Sequence, residues 1–155
     1  MTELLSPAGS WDALVAAVQS GADAVYMGFG AFNARQSARN FTDDEFASAV
    51  SYCHLRGVKV YLTLNTLVTD RELPAAADAL RKANDMGVDA VLLQDWGLLA
   101  LAREIVPDLP LHASTQMSIH SLEGVLQAAE LGGIITGAML GATVVFTIPV
   151  AMGIL

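Results

Sequence analysis

The stretch Gly57-Val58-Lys59-Val60-Tyr61-Leu62-Thr63-Leu64-Asn65 alternates with a period of two. Val58, Val60, Leu62 and Leu64 fall on one side, and Lys59, Tyr61, Thr63 and Asn65 on the other, the pattern of a strand with two unlike faces. A strand in a doubly wound sheet is covered by helices on both faces and reads as apolar throughout. One apolar and one polar face predict instead the wall of a (β/α) barrel, apolar toward the helices and polar toward the interior. The stretch Leu111-His112-Ala113-Ser114-Thr115-Gln116 repeats the division, with Leu111 and Ala113 opposite His112, Ser114 and Gln116.

Working outward, Gly57 has counterparts in Gly21-Ala22-Asp23-Ala24-Val25-Tyr26-Met27 and Gly87-Val88-Asp89-Ala90-Val91-Leu92-Leu93. Each glycine closes a helical run and precedes a short apolar run, as a left-handed C′ residue followed by a strand would. Spacings of 36 and 30 residues match one strand–helix unit each. Alternating units imply a parallel sheet. Strands are predicted near Glu3–Ser6, Ala24–Gly28, Lys59–Asn65, Ala90–Gln94 and Leu111–Thr115. Helices are predicted near Trp11–Ser20, Asp43–Arg56, Leu73–Met86, Leu98–Ile105 and Leu122–Leu131. Thr42 before Asp43, Asp44 and Glu45 reads as a capping box.

All the charged residues, eight Lys and Arg and 16 Asp and Glu, lie at or before Glu130. The 155-residue chain is 54% hydrophobic with a mean hydropathy of +0.48, and the charge-free run from Leu131 to Leu155 inflates both figures. Twenty-five uncharged residues as a helix would reach about 37 Å, enough to span a bilayer core. Gly133, Gly137 and Gly141 recur at the spacing that lets membrane helices approach, and Pro149 would kink such a helix. The expected fold is therefore α/β: a partial TIM-like (β/α) barrel of about five βα units over residues 1–132, followed by an apolar C-terminal helix. Residues 133–155 are expected to form that helix as a membrane-type segment, with no sixth strand after Leu131-Gly132; the competing reading is a buried helix or strand of the barrel. A five-unit sheet would keep an exposed edge and a partly open inner face. The N-terminus has no basic region or long apolar run of a secretory signal, so the expected location is cytoplasmic, with membrane association through the tail.

A net charge of −8 leaves no whole-surface basic footprint for nucleic acid. Arg35 and Arg39 sit close together in one predicted loop, where they could hold an anion or simply face solvent. The single cysteine, Cys53, excludes an intramolecular disulfide and a cysteine-only metal site within the chain, and its helical setting predicts a packed core thiol. His112 and His120 come without a metal-binding cluster, so no metal is expected; they read as hydrogen-bonded turn or inner-face residues. No Gly-x-Ser-x-Gly elbow is present. Polar residues at strand ends are the site candidates: Asn65, Ser114 and Gln116 for catalytic contact, and Glu3, Asp95, Thr115, Arg35 and Arg39 for substrate binding. The competing reading is that they cap helices and fill turns; Asp95 before Trp96-Gly97 suits an N-cap.

Five motifs in order, Glu3-Leu-Leu-Ser-Pro-Ala-Gly9, Gly21-Ala-Asp-Ala-Val-Tyr-Met-Gly28, Asn40-Phe-Thr42, Lys59-Val-Tyr-Leu-Thr-Leu-Asn65 and His112-Ala-Ser-Thr-Gln116, resemble the N-terminal region of the collagenase-like U32 peptidase family. The resemblance covers about residues 3–132 and implies a TIM-like barrel. It implies a peptidase by name, or alternatively an oxygen-independent hydroxylase acting on tRNA, rRNA or a ubiquinone precursor. Hydroxylase members carry a 4Fe-4S cluster on four cysteines absent here, so no cofactor is expected within this chain. The expected partners are a peptide, RNA or quinone-precursor substrate, together with a missing C-terminal half-barrel or partner subunit. The chain is thus expected to be a truncated member, inactive alone. The tail, through Gly137-Ala-Met-Leu-Gly-Ala-Thr-Val-Val-Phe-Thr-Ile-Pro149, resembles a segment of ethanolamine-transporter (EutH-like) membrane proteins, and a fusion or frame-disrupted origin would explain the change at Gly132/Gly133. The competing non-enzymatic reading is a membrane-tethered binding or assembly module.

Overall fold

A computed structural model describes residues 3–30, 32, 41–130, 133–138 and 144–148. Five strand–helix units follow one another: β1 (Glu3–Pro7) and α1 (Trp11–Gln19), β2 (Ala24–Met27) and α2 (Asp43–His54), β3 (Lys59–Leu64) and α3 (Leu73–Asp85), β4 (Ala90–Leu93) and α4 (Trp96–Ile105), β5 (Leu111–Ala113) and α5 (Leu122–Glu130). Neighbouring strands pair in parallel, with Val25 opposite Val60, Leu62 opposite Val91 and Leu93 opposite Ala113. The predicted partial barrel is therefore present.

The repeated glycine motif shows its purpose in the turns. Gly21, Gly57 and Gly87 all have positive φ, from 70° to 87°, the region where a Cβ is penalised. Two residues on, Asp23 and Asp89 each turn a carboxylate onto the neighbouring strand. Asp23 Oδ2 accepts the Leu4 N–H at 2.7 Å, and Asp89 Oδ2 accepts the Val60 N–H at 2.7 Å. Gly-x-Asp thus ends a helix, reverses the chain and fixes strand register in three residues. Thr42 and Glu45 form the expected capping box at the start of α2.

The two faces of the wall separate as the alternation predicts. Val25, Met27, Val60, Leu62, Leu64, Val91, Leu93, Leu111 and Ala113 join the helices in the main core, with Phe46 of α2 at its centre. Leu5, Ala24, Tyr61 and Ala90 form a second, smaller cluster inside the barrel, with Tyr26 and Leu92 against it. Cys53 is fully buried in the main core, and burial pushes its thiol up to about 11.

The tail departs from expectation. Residues 133–138 form β6, parallel to β5 with Leu111 opposite Gly133, so a sixth strand does follow. Residues 144–148 form β7, antiparallel both to β6 and to β1, with Glu3 opposite Val145. The sheet closes as β1-β2-β3-β4-β5-β6-β7, without the open edge expected of five units. Two physical causes account for the difference. Ile134-Ile135-Thr136 and Val144-Val145-Phe146-Thr147-Ile148 are β-branched and aromatic, which favours extended backbone over helix. The two rims of a five-stranded sheet also carry unpaired N–H and C=O groups that added strands satisfy. Among the described residues no helix is long and apolar enough to cross a membrane. The expected kink at Pro149 lies outside the described residues.

Candidate functional site

In a parallel barrel the loops after each strand gather at one end. Inward alternation carries Tyr61, Thr63 and Asn65 up β3, Ala90, Leu92 and Gln94 up β4, and His112 and Ser114 up β5. Their upper members meet at that C-terminal mouth. Ser114 is buried, and its Oγ accepts the Gln116 N–H at 3.3 Å, capping a 3-10 turn over Thr115–Met117. This turn replaces the last predicted residue of the fifth strand, because Ser114 offers its backbone a local partner. Gln94 Nε2 donates to the Gln116 carbonyl at 3.5 Å, which ties β4 to the turn. Thr115 and Gln116 are exposed and Asn65 is half-buried at the end of β3. Beside Asn65, the buried Thr66 Oγ1 has no hydrogen-bond partner among the described residues.

Asp95 has a structural task at the same rim. Its Oδ1 accepts the Leu98 N–H at 2.8 Å as the N-cap of α4, and its Oδ2 accepts the Val68 N–H at 3.4 Å. One carboxylate thereby joins the loops after β3 and β4. A Cβ on Gly97 would sit 3.2 Å from Asp95 Oδ1, so the glycine leaves room for the cap.

Glu3 stands apart from this group. It opens β1, at the barrel's N-terminal end, where Oε2 pairs with Lys59 Nζ at 3.0 Å and Oε1 accepts the Tyr61 hydroxyl at 2.6 Å. Burial and the Glu3 hydrogen bond hold the Tyr61 phenol well above its ordinary range. The Tyr61 ring meets His112 edge-on, with centroids 4.9 Å apart. His112 is buried with no hydrogen-bond partner for Nδ1 among the described residues, against the expectation of a satisfied imidazole. Burial depresses its pKa to about 4, so the ring is neutral at pH 7; Glu3 opposes this shift and Lys59 adds to it. His120 fits the expectation, with Nδ1 2.6 Å from the Ser118 carbonyl. Arg35 and Arg39 lie outside the described residues.

The structure thus brings Asn65, Asp95, Ser114, Thr115 and Gln116 to one end and leaves Glu3 at the other. A cavity of about 420 Å³ opens where α1 and α2 end, lined by Gly21, Asp23, Tyr52, Arg56 and Gly57. Arg56 stacks 3.7 Å over the Tyr52 ring there. That cavity sits away from the strand C-termini, and the mouth is the better candidate because the convergent polar side chains are there. Two apolar residues also stand at the rim: Leu67, 72% exposed, on the loop after β3, and Trp96, 37% exposed, at the first position of α4. In the sequence both are large apolar residues shortly after a predicted strand.

Asn65, Gln94, Ser114, Thr115 and Gln116 bring carboxamides and hydroxyls to the mouth, beside the Asp95 carboxylate. Among the described residues no group of three or more His, Cys, Asp or Glu could hold a metal. Cys53, the one cysteine, faces the core, so the residues present do not fit a four-thiolate cluster.

Comparison with known proteins places the chain. The model of peptidase family U32 matches residues 9–134, and that of the ethanolamine utilisation protein EutH matches residues 114–155. An uncharacterized protease of Methanocaldococcus jannaschii is 42% identical over 119 residues, 77% of this chain and 29% of that protein. The 23S rRNA 5-hydroxycytidine C2501 synthase of Escherichia coli is 42% identical over 132 residues, 84% of this chain and 19% of that protein. The chain therefore spans between about a fifth and three tenths of these relatives. A solved U32 peptidase structure superposes with a TM-score of 0.71 at 19% identity, covering 87% of this chain and 57% of the other, which shows a shared fold. With four-fifths of its length matched by the family model, the chain belongs to peptidase family U32.

Proposed function

We propose that this chain is the substrate-receiving part of an RNA-modifying family member, and that its barrel mouth takes an unpaired base. The observation that carries this reading is the set of uncharged polar groups at the mouth: Asn65, Gln94, Thr115 and Gln116 bring carboxamides and a hydroxyl there, while the carboxylate of Asp95 is engaged in capping α4. Carboxamides match the paired N–H and C=O edges of a base. The same groups are a poor proteolytic set. The Ser114 hydroxyl caps a turn, and among the described residues no His, Asp, Glu or Lys is hydrogen-bonded to it, as a serine nucleophile requires. The relatives named for rRNA hydroxycytidine synthesis and tRNA hydroxylation support an RNA substrate, while two others are named protease and collagenase. Redox chemistry would come from outside this chain, on a cluster held by the longer protein or a partner subunit.

The test is polarization of a fluorescein-labelled single-stranded RNA added to the chain. Saturable binding is expected, and Asn65→Ala or Gln116→Ala should each weaken it about three- to tenfold, the worth of one hydrogen bond. Arg35 and Arg39 are the cations considered for phosphate, so the slope of log K against log salt should be no steeper than about −1.4, two single-strand phosphates. Hydrolysis of a collagen-type peptide by this chain, lost in Gln116→Ala, would overturn the reading.

A further inference from the structure

We infer that Trp96, at the start of α4, and Leu67, on the loop that Asp95 ties to it, form a stacking platform on which the base entering the mouth lies. This rests on the RNA reading above and names the residue that grips the base. Trp96 is the first residue of α4 and follows Gln94 by two positions, no more than about 7 Å of extended chain. Leu67 follows Asn65 by the same interval on the neighbouring loop. Asp95 fixes both loops, capping α4 through Oδ1 and holding the Val68 N–H through Oδ2. The shelf is therefore built in advance, and its ordering cost is not incurred on binding.

Exposed aromatic surface beside uncharged hydrogen-bonding groups selects a flat ring with polar edges. Every base presents a π-face to the indole and N–H or C=O groups to the carboxamides. A lipid chain or an aliphatic protein side chain would leave the exposed Gln116 carboxamide unmatched. The other tryptophan, Trp11, opens α1 with its ring centroid 5.5 Å from Tyr52.

The W11F chain retains Trp96 as its only indole, so its fluorescence reports this site. Titration with a single-stranded RNA pentamer should quench it saturably, and a fully paired duplex should not. By polarization of labelled RNA, W96A should weaken binding about tenfold or more, W96F less than about threefold, and L67S about two- to threefold. L67S alters an exposed loop position and keeps the test valid if W96A folds poorly. Wild-type affinity in both W96A and L67S, with Gln116→Ala still weakening binding, overturns the platform and leaves the mouth reading intact. No RNA binding by the parent chain overturns both. Self-association abolished by W96A in sedimentation equilibrium, or a Trp96 blue shift on phosphatidylcholine vesicles without quenching by RNA, assigns the shelf to another occupant and also overturns it.

Discussion

Replacing Phe46 by alanine is expected to cost about 4 kcal/mol of folding stability. The side chain is fully buried where α2 meets the sheet. Its ring lies 4.7 Å from that of Phe29 and 6.4 Å from that of Phe41, the latter edge-on. Truncation removes both aromatic contacts and leaves a void. Neighbours on a helix and at the end of a strand can close it only by moving elements that the capping box and parallel register hold in place. Phe29 and Phe41 also pair with each other as an isolated bridge, so the same change removes packing beneath that bridge. Urea unfolding of parent and variant measures the difference. A loss under about 1 kcal/mol would mean that Phe46 is not the centre of the core.

Acid should destabilise the chain through His112, by on the order of 3 kcal/mol between pH 7 and pH 4. In the unfolded chain the imidazole titrates near 6.5; buried in the barrel it titrates near 4. The unfolded state therefore binds a proton over an interval where the folded state does not, and stability falls as pH drops through that interval. Above about 6.5 this contribution is fully present, and below about 4 the loss levels off. The groups that face the ring are the Tyr61 phenol, whose proton is held by Glu3, and the Glu3–Lys59 pair, whose charges pull in opposite directions. Burial decides the outcome. His112→Leu should flatten this part of the pH profile and be at least as stable as the parent at pH 5, because it removes an unpartnered buried nitrogen. Equal pH dependence in parent and variant would contradict the assignment.

The wall of the barrel was legible in β3 because its alternation is local. Each of Val60, Tyr61 and Leu62 chooses a side by position alone, and the structure keeps those sides. The Gly-x-Asp turns were half legible: the glycines announced helix ends, but the carboxylates of Asp23 and Asp89 act on strands 19 and 29 residues away. The tail was misjudged because absence of charge is equally compatible with a bilayer and with a sheet interior. What decided between them was the demand of two remote rims, β5 and β1, for hydrogen-bond partners. Among the site candidates, Asn65, Ser114 and Gln116 were placed by counting to the ends of strands. Glu3 was counted at the beginning of its strand, and the fold sends it to the opposite end with Lys59 and Tyr61. The isolation of His112 Nδ1 depends on packing around it, which no stretch of sequence displays.

Ligand meets this barrel at its C-terminal mouth, and amide chemical-shift mapping of the ¹⁵N-labelled chain with single-stranded RNA locates the contact. Perturbations should concentrate at residues 65–68, 94–97 and 114–118, with the ends of α1 and α2 around 20–23 and 54–58 unmoved. Shifts confined to that opposite end, lining the Arg56 cavity, would contradict the account.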